Sequence, residues 1–143
     1  MFVKQVSIFV ENKKGSIAEV ISILGNNGIN IRALSVADTE DYGILRLIVN
    51  DPTKAFEILK ANSYTLKLTD VLGFAVPDRP NGLGEVLGLL HKSNIEITYI
   101  YSFVGHYKDK AVGCLKTSNL EDAMNVLKNN GVDIIDGNDI YND

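Results

Sequence analysis

The side chains able to do chemistry are few and scattered along the chain. His91 and His106 stand apart from any cysteine pair and from a Glu-x-x-His spacing, so neither a metal nor another cofactor is expected. The single cysteine, Cys114, sits in the alternating run Ala111-Val112-Gly113-Cys114-Leu115 and reads as a buried strand residue. No Gly-x-Ser-x-Gly or P-loop occurs; Gly82-x-Gly84 lacks a third glycine at dinucleotide spacing, and Gly88 falls within a helical run. No residue is assigned a catalytic role. What remains are two loops, Asn12-Lys13-Lys14-Gly15-Ser16-Ile17 and Asp78-Arg79-Pro80-Asn81-Gly82-Leu83. Their glycines permit positive φ and bring bare N–H groups to a helix start, where the partial positive charge suits a carboxylate. Ordinary turn formation explains the same residues. The recurrence of one loop form with different polar residues favours binding.

The elements that must position these loops repeat as well. An offset of 66 residues carries Glu19-Val20 onto Glu85-Val86, Leu24 onto Leu90 and Ile31 onto Ile97. Two residues are gained near Gly105-His106, and an offset of 68 then takes Leu47 to Leu115, Ala55 to Ala123 and Leu59-Lys60 to Leu127-Lys128. Phe2–Val10 alternates as a strand, with Phe2, Lys4, Val6, Ile8 and Val10 on one side. Ile17, Val20, Ile21 and Leu24 have helical spacing behind Ser16, the expected N-cap, and the helix stops at Asn27-Gly28. Residues 30–37 and 43–50 read as strands joined through Asp38-Thr39-Glu40-Asp41. Pro52 opens a second helix with Ala55, Ile58 and Leu59 inward, and residues 65–68 close the unit as a strand. The order β-α-β-β-α-β recurs from Val71 to about Ile140, which predicts an α+β chain of two ferredoxin-like units, 1–69 and 70–143. Pairing of their second strands is expected to give an eight-stranded antiparallel sheet with helices on one face.

Charge and length narrow the function. The 143 residues carry a formal net charge of -4 with no Lys or Arg cluster, which argues against a nucleic-acid partner. The third strands also lack the aromatics on which RNA-binding units of this plan stack bases. Nowhere do 18 apolar residues run together and no cleavable leader is visible, so a cytoplasmic protein with no membrane partner is expected.

At the two loops the sequence resembles the ACT domain, whose pattern is a strand, Asn-Arg-Pro-Gly-x-Leu, a helix, and Gly-x-Asn-Ile opening the second strand. The first copy reads Glu11-Asn12-Lys13-Lys14-Gly15-Ser16-Ile17 with Asn27-Gly28-Ile29-Asn30-Ile31; the second reads Pro77-Asp78-Arg79-Pro80-Asn81-Gly82-Leu83 with Ser93-Asn94-Ile95-Glu96-Ile97. The resemblance covers nearly the whole chain and implies two tandem ACT domains, 1–69 and 70–143, with no catalytic domain. It further implies a sensor that binds a small amino acid where the repeats meet. The residues carried over are Asn12, Gly15, Ser16, Ile17, Asn30 and Ile31, and Asp78, Asn81, Gly82, Leu83, Glu96, Ile97 and Tyr99. Asn12 and Asn30 match the effector-binding asparagines of serine-sensing members, whereas Asp78 and Glu96 replace them in the second copy. Free amino acid is thus the expected partner, with a metabolic enzyme and a second copy of the chain as further candidates. The alternatives are a ligand-independent regulatory subunit, and a small acylphosphatase-like hydrolase built on Arg79.

Overall fold

Alternation in the first residues produces β1 (Val3–Glu11), and the apolar positions that follow it at helical spacing produce α1 (Ser16–Asn26). A computed structural model describes residues 2–38 and 41–141, His106 and Tyr107 by their backbone alone, so Thr39 and Glu40 of the expected hairpin connection lie outside the described residues. Two units are present: Lys4–Thr69 with Ile140 and Tyr141 form one, and Asp70–Asp139 with Phe2 and Val3 form the other.

In the first unit α1 is followed by β2 (Ile31–Asp38), β3 (Tyr42–Val49), α2 (Pro52–Ala61) and the start of β4 (Thr65–Pro77). β3 lies antiparallel between β1 and β2, with Val6 opposite Leu47 and Ile8 opposite Leu45 on one side, and Leu34 and Val36 opposite the same two residues on the other. This register gathers Val6, Ile8, Val10, Leu45, Leu47 and Val49 under Val20 and Leu24 of α1 and Ala55 and Leu59 of α2, all buried. Both helices therefore cover one face. The opposite face of β1 is buried too, since Gln5 is 0% exposed and its Nε2 donates to Ser7 Oγ at 2.9 Å. The hydrogen bond between the two is what lets the polar pair go inside. Pro52 opens α2 behind Asp51, whose carboxylate accepts from the Lys54 amide at 3.1 Å.

In the second unit β4 leads to α3 (Gly82–Lys92), β5 (Ile97–Tyr107), β6 (Lys110–Thr117), α4 (Leu120–Asn129) and β7 (Asp133–Ile135); a short α5 (Gly137–Tyr141) that the repeat did not foretell follows, its Ile140 and Tyr141 belonging to the first unit. The spatial order is β5, β6, β4, β7, every neighbouring pair antiparallel, as the β-α-β-β-α-β plan requires. Leu72, Phe74, Val76 and Leu115 pack beneath Val86, Leu90, Ala123 and Leu127. A register shift between Ser102 and His106 lies where the second repeat gains its extra residues.

Two expectations are corrected. Among the described residues there are seven strands, not eight, because β4 runs unbroken through Thr69-Asp70 and serves as the last strand of one repeat and the first of the next. Ser16 is not the N-cap of α1: Gly15 is, at φ 88, and Ser16 begins the helix proper. A left-handed glycine turns the chain into the helix more sharply than a serine could. Among the described residues no helix is long and apolar enough to cross a membrane.

Candidate functional site

The two strand-to-helix loops share one backbone design. In the first, the Lys13 amide donates to Glu11 O at 2.9 Å, Ser16 to Lys13 O at 3.3 Å and Glu19 to Gly15 O at 3.0 Å; in the second, Arg79 donates to Pro77 O at 2.9 Å, Gly82 to Arg79 O at 3.0 Å and Glu85 to Asn81 O at 3.0 Å. Each helix then starts behind a left-handed residue, Gly15 at φ 88 or Asn81 at φ 66, and neither start carries a side-chain cap. First-turn amides without a cap are a natural anchor for an anion. Gly82 is required by a close approach, since a Cβ there would lie 2.4 Å from the Pro77 carbonyl oxygen.

The remaining expected site residues divide by role. Asn12, Asp78 and Glu96 are exposed. Asn30 opens β2 with its backbone held from both directions by Asn50, whose side chain accepts its amide at 2.9 Å and whose own amide donates back at 3.1 Å. The Glu96 carbonyl is held likewise by Thr117 Oγ1 at 2.7 Å. Ile31 and Ile97 pack against the two hydrophobic cores, so their side chains serve the fold. Tyr99 lies against Tyr101, ring centroids 6.4 Å apart.

Each unit holds a cavity beside its loop. In the second, about 220 Å³ is enclosed by Phe74 and Val76 of β4, Leu83 of α3, Ile100–Ser102 of β5, and Ala111 and Gly113 of β6. Leu83 and residues Ile100–Ser102 of the second strand thus line one cavity, Tyr99 does not, and the wall is almost wholly apolar. Sequence reasoning missed Phe74 and Gly113, which face each other across β4 and β6, the ring lying over the bare glycine. A glycine inside a strand was the available signal. In the first unit a more polar cavity of about 340 Å³ lies between the start of α1 and the turn after α2, lined by Lys13, Ser16, Glu19, Asn62, Ser63 and Tyr64 among others. The Tyr64 hydroxyl donates to Glu19, and desolvation first, then that carboxylate, push the phenol up to about 12.

Arg79, the arginine a phosphate-cradling loop would use, is committed to Glu85, with Nη2 at 3.1 and 3.0 Å from its two carboxylate oxygens. Cys114 is buried, and loss of solvation pushes its thiol up to about 12. No group of three or more His, Cys, Asp or Glu side chains converges as a metal would need among the described residues.

A family profile described as an ACT domain pair matches residues 1–142. Protein BT0572 from Bacteroides thetaiotaomicron has a crystal structure that superposes with a TM-score of 0.90 at 41% identity, covering 99% of this chain and 96% of that one. The ligand-free regulatory subunit of aspartate kinase from Thermus thermophilus shares the fold with a TM-score of 0.63 at 13% identity, covering 90% and 93%. The corresponding subunit from Thermus flavus gives 0.61 at 13%, covering 90% and 92%. No functionally curated protein matches the sequence.

Proposed function

Because the chain belongs to the family of ACT domain pairs, we propose that it is a non-catalytic regulatory protein that binds a free amino acid and reports its level, residues 1–69 and 70–143 each acting as one ACT domain. The observation that carries the reading is the apolar cavity of about 220 Å³ opening beside Leu83, at the start of a helix that has no side-chain cap. A carboxylate bound at the helix start formed by Asn81, Gly82 and Leu83 directs its α-substituent toward that cavity. The Asp78 carboxylate at the head of the loop takes the ammonium, a charge-assisted contact. A metabolic enzyme, docked on the bound form, and a second copy of the chain are the partners this role calls for.

Calorimetry of the full chain against the twenty amino acids tests the reading. Alanine, valine and leucine should bind in rising order, since each buried methylene contributes about 0.8 kcal/mol, roughly fourfold in affinity. Asp78→Ala should weaken binding tenfold or more. If no amino acid binds, or all bind equally to parent and variant, the reading fails.

A further inference from the structure

Val86 and Leu90 of α3 and Ala123 and Leu127 of α4 face the core of the second unit. Glu85 and Lys92 of the one helix and Glu121 and Lys128 of the other are left exposed. Each pair is seven residues apart with the acid first, close to two turns, so acid and base stand on one side of their helix near its opposite ends. Between Glu85 and Lys92 lies Gly88, and nothing stands within 4 Å of where its Cβ would be. Glycine is the weakest helix former after proline, so nothing within the chain explains its place there. The Glu85 carboxylate is already fixed by Arg79, with Nη2 at 3.1 and 3.0 Å, and keeps lone pairs for a further donor. The helix dipole favours acid first and base last in any helix, yet the first unit lacks the pattern. Glu19 is the only charged residue of α1, while α2 carries Lys54, Glu57 and Lys60, which a reversed copy would meet like against like.

We infer that the outer side of α3 and α4 is the docking surface for a second copy of this chain, turned about a two-fold axis that crosses both helices. Such an axis reverses each helix against its own copy. Glu85 then meets the partner's Lys92, and Glu121 meets the partner's Lys128, each contact made twice. Gly88 comes to the crossing, where the missing side chain lets the helix axes approach to the near end of their usual range, about 8 Å. Two helix pairs make an interface of the small class, below about 1,200 Å², so the pairing is reversible and concentration-dependent. It stands apart from the cavity beside Leu83 and needs no ligand there. In the dilute, unpaired chain an alanine at Gly88 keeps its helical gain alone; the crossing is felt only where chains pair.

The test is sedimentation of the full chain over a range of concentrations, beside two doubly substituted variants. Lys92→Glu with Lys128→Glu makes all four positions acidic, and Glu85→Lys with Glu121→Lys makes all four basic. The parent should pair, and less tightly as salt rises. Each variant alone should pair at least tenfold more weakly than the parent. Mixed in equal amounts the two should pair with each other, since every contact is then acid against base. Gly88→Leu, whose Cβ enters open space in its own chain, should weaken pairing tenfold or more while circular dichroism shows the helices kept. A parent that stays monomeric to about 1 mM overturns the inference. So do variants that pair as the parent does, and variants that lose pairing but do not regain it when mixed.

Discussion

Gly82→Ala and Gly88→Ala place one methyl at two positions of a single helix and should have opposite effects. At Gly82 the new Cβ would stand 2.4 Å from the Pro77 carbonyl oxygen. Ordinary carbon–oxygen contact begins near 3.3 Å, so loop and helix start must separate by about 0.9 Å. The obstacle is backbone and cannot rotate away. Overpacking of this kind costs about 1–3 kcal/mol, offset in part by the roughly 0.5–1 kcal/mol that alanine gains over glycine in a helix. A net loss of about 1–2 kcal/mol follows. At Gly88 nothing lies within 4 Å of the added Cβ, so the helical gain stands alone. Urea unfolding of parent and both variants reads the difference; in melting temperature it corresponds to a fall of about 4–8 °C and a rise of about 2–4 °C. A Gly82→Ala protein as stable as the parent would refute the close approach, and with it the positions assigned to the loop amides.

Other consequences are simpler to check. Asp51→Ala removes the side-chain acceptor at the start of α2 and should cost about 1 kcal/mol, measured by denaturant midpoint. Tyr64 keeps its proton to about pH 12 when folded but loses it near 10 when unfolded, so its contribution is intact below pH 10 and lost between 10 and 12. An ultraviolet titration should show this late phenol, and Tyr64→Phe should abolish that portion of the alkaline loss. Cys114, buried and raised to about 12, should ignore a thiol reagent at pH 8 until denaturant is added; prompt labelling of native protein would contradict its placement.

The sequence made the repeated plan readable because period-two and period-3.6 apolar spacing report burial residue by residue, as with Val6, Ile8 and Val10 under Val20 and Leu24. Both loops were readable for the same reason, their glycines marking the turn. What sequence could not convey depended on backbone continuity or on distant residues meeting. The repeat puts the boundary at Thr69-Asp70, yet the strand continues through it. Ser16 has the chemistry of a cap, but the residue before it took the left-handed conformation and moved the helix start. The cavities arise where Phe74 faces Gly113, and where Glu19 meets Tyr64 45 positions later, separations that no local pattern encodes.

Tandem copies are commonly exchangeable modules, but the sharing of short segments described for this chain has removed that freedom. Phe2 packs into the core of the unit otherwise built from Asp70–Asp139, while the Tyr141 hydroxyl receives the Lys4 amide at 2.9 Å inside the other unit. Cutting the gene at codon 69 would therefore sever β4 and strip each half of residues encoded in its sister. Neither repeat is therefore a self-contained module, and a half expressed alone would lack a segment its own unit contains.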